Sequence, residues 1–139
     1  MAERIGKKES TTLAKRIEDA CRGLTYMSET DAAVEPFFGG KAETSIREQI
    51  LKVSGHGPKT PVEEADIDSF FAHLTAIRDW YTADQKRNTR RFATLEHLLR
   101  DELSDLYVFR IGRIRIDIYV VGVDRNGDLR GIKTKAVET

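Results

Sequence analysis

Ile114, Ile116, Ile118 and Val120 stand at every second position, separated by Arg115, Asp117 and Tyr119. That alternation predicts a strand with one buried face. The run breaks at Asp124-Arg125-Asn126-Gly127-Asp128, where Asn and Gly tolerate positive φ. A second strand is predicted from about Leu129 to Val137, so the sequence closes on a hairpin. Thr139 follows that strand directly, and its terminal oxygens are expected to be held in place rather than trailing.

Upstream the period changes to that of helices. Leu13, Ile17, Ala20, Cys21 and Leu24 fall on one face of a predicted helix over residues 11–23, with Gly23 as its terminator. Residues 1–10 are read as a flexible N-terminus and residues 11–139 as a single domain. After a polar, turn-rich stretch, Val34 to Phe38 reads as a strand ended by Gly39-Gly40, with Pro36 placing it at a sheet edge. Ser45 and Glu48 have capping-box spacing ahead of a helix whose apolar face is Ile46, Ile50 and Val53, and Gly55 ends it. His56 to Pro61 is a loop, and Asp66 caps a short helix that carries Phe70 and Phe71 into the core. Arg78 to Tyr81 form a loop. Thr82 and Gln85 then open a long helix, about Ala83 to Ser104, with a buried stripe of Phe92, Leu95, Leu99 and Leu103 and Leu98 beside it. A strand over Tyr107–Ile111 and a tight link at Gly112-Arg113 lead into the hairpin. Helices and strands in this order predict an α+β fold with a mainly antiparallel sheet.

Composition narrows the class. A chain of 139 residues, 40% hydrophobic and 33% charged, is long enough for one domain with a real core. It holds no apolar run of membrane-spanning length, and its first residues lack the apolar segment of a signal peptide. With Cys21 as its single cysteine, no internal disulfide can form, and a cytoplasmic setting is expected. The 23 basic and 23 acidic residues cancel, which argues against a general nucleic-acid binder. The balance is uneven along the chain: residues 1–70 hold 10 Lys/Arg against 13 Asp/Glu, a net of −3, and residues 71–139 hold 13 against 10, a net of +3. The first half can therefore offer an acidic surface to a basic partner.

Little in the sequence suggests catalysis. His56, His73 and His97 lie in a loop and two separate helices, with no zinc-ligand spacing among them. No nucleophile-elbow sequence is present. Asp66 and Asp68 are more economically helix caps than cation ligands, and Cys21 on an apolar stripe reads as a buried thiol. No enzyme and no cofactor of its own are expected. Trp80, the single tryptophan, sits in a loop beside Arg78, Asp79 and Tyr81; that composition suits an interface hot spot, or equally a loop anchored into the core. Lys86, Arg87, Arg90 and Arg91 make the first turns of the long helix basic, against the helix dipole, which hints at use beyond a solvated face.

Several of these stretches together resemble the nuclease A inhibitor family. They are Leu24–Glu29, Ser54–Gly57, Asp66–Phe71, Asp79–Tyr81, Val108–Gly122 and Gly131–Thr139, in order and reaching the last residue. The resemblance covers nearly the whole chain from about residue 11. It implies a three-layer α/β/α sandwich like that of pathogenesis-related proteins. It also implies a non-enzymatic inhibitor that plugs the active-site cleft of a sugar-non-specific ββα-metal nuclease. Carried over residue by residue, it gives Glu29 as the acid that meets a basic residue of the nuclease and Trp80 as an aromatic anchor. It gives Thr139 as the group whose terminal oxygens reach the nuclease's Mg²⁺, in place of a substrate phosphate. Arg78 stands where the family's interface carries a neutral amide. The alternative is a protein- or nucleic-acid-binding module on the same scaffold, using Arg90, Arg91 and Arg113, with a partner that is not a nuclease.

Overall fold

The computed structural model describes residues 2–139, with side chains from Thr12 onward. The elements in order are α1 (Ala2–Cys21), β1 (Thr25–Tyr26), β2 (Ala32–Ala33), β3 (Glu35–Lys41), α2 (Ile46–Val53), β4 (Val62–Ala65), α3 (Ile67–Thr75), α4 (Ala83–Glu102), β5 (Ser104–Ile111), β6 (Arg115–Val123) and β7 (Asp128–Val137). α1 begins at Ala2, where the sequence reading starts the helix at residue 11 after a flexible N-terminus. Five strands form one antiparallel sheet in the order β3-β7-β6-β5-β4, and β1 pairs with β2 as a separate ribbon. The fold is thus mixed α+β, with an antiparallel sheet and, among the described residues, four helices.

The helices start where their capping side chains place them. Ser45 Oγ accepts from the Glu48 N–H, Asp66 from the Ser69 N–H, and Thr82 and Gln85 close a reciprocal capping box. Gly23, at φ +72°, supplies the left-handed residue that ends α1 and lets the chain double back into β1.

Burial corrects the expectation of one apolar face on β6. Its residues Ile116, Ile118 and Val120 pack with Leu13 and Ile17 of α1, Phe71 of α3 and the Phe92–Leu95–Leu99 stripe of α4. The intervening Tyr119 and Val121 are also buried, against Ile50 of α2 together with Phe37, Phe109 and Leu129. Helices therefore cover both faces of the sheet, and the strand is apolar on both sides wherever they do. Ile114, expected inside, is 57% exposed, because it lies in the turn ahead of β6 and beyond the reach of the helices.

Other expectations shift for equally local reasons. β3 does not stop at Gly39-Gly40 but runs through the pair on a register irregularity between Phe38 and Gly40, with Pro36 on an edge strand as expected. Val53, assigned to the buried face of α2, is 52% exposed; buried Gln49 takes its share of that face by bonding Lys41 O and the Glu43 N–H. Phe71 is fully buried, whereas Phe70 is only partly so and stacks on Tyr26, ring centroids 6.1 Å apart. β4 was not read from the sequence. Its exposed Glu63 and Glu64 hide the alternation, and they suit an edge strand that must not recruit another chain.

Candidate functional site

The turn between β1 and β2 carries Glu29 at an exposed position. Ser28 fixes it: its hydroxyl donates to Thr30 O at 2.8 Å and accepts the Val137 N–H at 3.1 Å, fastening the turn to the end of β7. From there Glu29 Oε1 accepts two hydrogen bonds from Thr139, from its backbone N–H at 3.2 Å and from its hydroxyl at 2.8 Å. The residue between is held as well. Glu138 donates its N–H to Ile114 O at 2.9 Å and ion-pairs through its carboxylate with Arg110. Burial works against the charge on Arg110, but the Glu138 carboxylate outweighs it, with Tyr26 adding to the effect, and the guanidinium is held charged above its ordinary range. The sequence points to Glu29 and Thr139 separately; the structure brings them into contact.

Trp80 answers the question that composition left open. It is 77% exposed, its ring edge-on to Tyr81 at 6.1 Å, so it does not anchor its loop in the core. Arg78, two positions earlier, is exposed too, and its carbonyl accepts the Tyr81 N–H at 3.1 Å to close the turn. The bonds that join Glu29 to Thr139 do not extend to Trp80 or Arg78. What relates the two groups is topology. The Trp80 loop leads directly into α4. Asn88, early in α4, then exchanges hydrogen bonds of 3.0 and 2.9 Å with the backbone of Thr25, the strand that leads to Glu29.

Asp66, Asp68, Cys21 and Arg91 have structural duties. The Asp66 carboxylate accepts from both the N–H and hydroxyl of Ser69, which hold it below its usual range, and Asp68 ion-pairs with Arg100 at 2.7 Å. Among the described residues no three of His, Cys, Asp and Glu converge as a metal would require. Burial pushes the Cys21 thiol up to about 12, which suppresses its thiolate. Arg91 points inward and donates to Ala20 O at 3.1 Å and to Arg22 O, serving the carbonyls at the end of α1. That explains a cation in the first turns of α4 without a nucleic acid. Missed altogether was the pairing of His56 Nε2 with Asp117 Oδ2 at 2.7 Å; the one signal for it was an acid in the middle of an apolar strand.

Residues 11–139 match the pattern of nuclease A inhibitor-like proteins. The chain belongs to that family. No curated protein matches it. In this nuclease A inhibitor-like protein the Glu29–Thr139 corner and the Trp80 loop are both exposed. Among the described residues, no helix is long and apolar enough to cross a membrane.

Proposed function

We propose that this protein inhibits a sugar-non-specific, Mg²⁺-dependent endonuclease of the ββα-metal type by occluding its active-site cleft, without catalysis or a cofactor of its own. The reading rests on one observation above the others: Glu29 and Thr139, distant in sequence, are hydrogen-bonded to each other on an exposed corner. A positioned carboxylate and hydroxyl bind at a lower entropic cost than free side chains would. Glu29 keeps a second oxygen for a cation of the partner. The Thr139 hydroxyl, whose O–H donates to Glu29, keeps its own lone pairs to offer, and the hydrogen bond enriches them. Oxygen donors of this kind are what Mg²⁺ in a nuclease site accepts. Trp80 supplies apolar area, and Arg78 beside it meets the same partner.

The scaffold fits this reading. Helix residues packed on both faces of the sheet are what a three-layer α/β/α sandwich, like that of pathogenesis-related proteins, requires. A buried cysteine with no disulfide suits action in the cytoplasm. Direct use of Arg91 on nucleic acid has less support, given its bonds to α1.

The test is co-purification of the tagged protein with a ββα-metal nuclease of the same genome, followed by affinity measurements on Glu29→Ala and Trp80→Ala. Each substitution should weaken the complex by at least about 1 kcal/mol. Retention of full affinity by both would overturn the assignment.

A further inference from the structure

The turn between β5 and β6 places an exposed isoleucine between two exposed arginines: Arg113, Ile114 and Arg115. Ile114 is 57% exposed although it continues the apolar alternation of β6. Its carbonyl accepts the Glu138 N–H at 2.9 Å, so the turn lies one residue away from Thr139. Gly112, at φ +116°, makes the turn tight, and a Cβ there would meet Arg115 O at 2.3 Å. The turn is therefore held at its base by the pairing of β5 with β6 and tied through Ile114 O to Glu138, itself ion-paired with Arg110.

We infer that this turn is a second anchor of the same binding surface, with Ile114 inserted into an apolar depression of the partner and Arg113 and Arg115 facing carboxylates on its rim. The inference rests on the proposed nuclease reading and adds what selects the partner. Continuity carries it. A standard interface covers about 800 Å² per partner, a disc of roughly 16 Å radius. Any footprint centred on Thr139 must then cover a residue whose carbonyl bonds Glu138. Charge decides the rest. Two acids close to the turn in the sheet are engaged within the protein, Glu138 by Arg110 and Asp117 by His56, while Arg113 and Arg115 are exposed to the partner. Like charge facing them would oppose association, so carboxylates on the partner are required. The nuclease this protein fits is one whose basic cleft is bordered by an acidic rim.

The experiment is a binding titration against a ββα-metal nuclease from the same genome, using wild type, Ile114→Asp, Ile114→Ser, Arg113→Glu/Arg115→Glu and Glu29→Ala. Ile114 is exposed in the free protein, so melting temperatures should be unchanged, and Ile114→Ser guards against a local effect of the new charge. The inference predicts that both Ile114 variants and the arginine double variant raise Kd at least tenfold. If Glu29→Ala weakens binding while the turn variants stay within twofold of wild type, the inference is overturned and the nuclease reading stands. If wild type does not bind the nuclease, both are overturned. If the wild type instead binds a DNA duplex, measured by fluorescence anisotropy, and the arginine double variant alone abolishes it, the turn serves phosphates and the inference is overturned in favour of a nucleic-acid surface.

Discussion

Glu29 accepts both the backbone N–H and the hydroxyl of Thr139, at 3.2 and 2.8 Å, across 110 positions of sequence. Two groups bonded in this way act as a unit, so their effects on binding should not add. A double-mutant cycle of Glu29→Ala and Thr139→Val on nuclease affinity should show a coupling of about 0.5–3 kcal/mol. Strict additivity would mean that the two residues act independently.

Thr139→Val removes the hydroxyl and keeps the shape. It should leave the melting temperature nearly unchanged and weaken the complex at least fivefold. The loss should shrink when the nuclease is stripped of Mg²⁺, because the hydroxyl oxygen then has no metal to serve. Affinities measured with and without a chelator separate this from a purely steric role. Adding a peptide beyond Thr139 should have the same metal-dependent effect.

Trp80 stands 77% exposed, so its truncation should cost binding and not folding. Trp80→Ala should reduce affinity by roughly 2 kcal/mol, as hot-spot aromatics do. Calorimetry of the free variant should place its Tm within a degree or two of wild type.

The legibility of this chain followed the range of each interaction. Caps at Ser45, Asp66 and Thr82 could be read because a cap is decided within three residues. The α4 stripe and the β6–β7 hairpin were equally local. Ile114 and Val53 were misassigned because periodicity shows which side a residue faces, not where its cover ends. β4 is a strand only because β5 pairs with it, and Glu63-Glu64 gives no period of two. At the candidate site, Trp80 stands out by its loop composition and Thr139 by following the closing strand, whereas Glu29 and the roles of all three come from the family resemblance. The Ser28–Val137 and Glu29–Thr139 bonds that build the corner depend on tertiary contact and leave no trace in local sequence.

Cys21 gives a pH-dependent test of the core. Its thiol is pushed up to about 12 by burial, against about 8.5 in an unfolded chain. Between those values the unfolded state sheds a proton that the folded state keeps. Stability therefore falls as pH rises through that window and is untouched below it. Urea midpoints measured at pH 8 and pH 10 should fall more for wild type than for Cys21→Ala. At pH 8 a thiol reagent should react only after unfolding.

Arg91 links α4 to the end of α1, and Thr82 opens α4. Arg91→Ala strands carbonyls that a charged donor had satisfied and should cost about 1.5–3 kcal/mol. Thr82→Ala should cost about 1 kcal/mol. Denaturant titrations of both would check the assignment of Arg91 to structure; a neutral Arg91→Ala would return it to the candidate binding residues.

Inhibition itself tests the central claim most directly. A ββα-metal nuclease from the same genome is titrated with this protein in Mg²⁺, and cleavage of DNA and RNA is followed. The account predicts that both activities fall together to zero at equimolar protein, and that Glu29→Ala with Trp80→Ala restores them. Undiminished cleavage in a large excess of folded protein would contradict it.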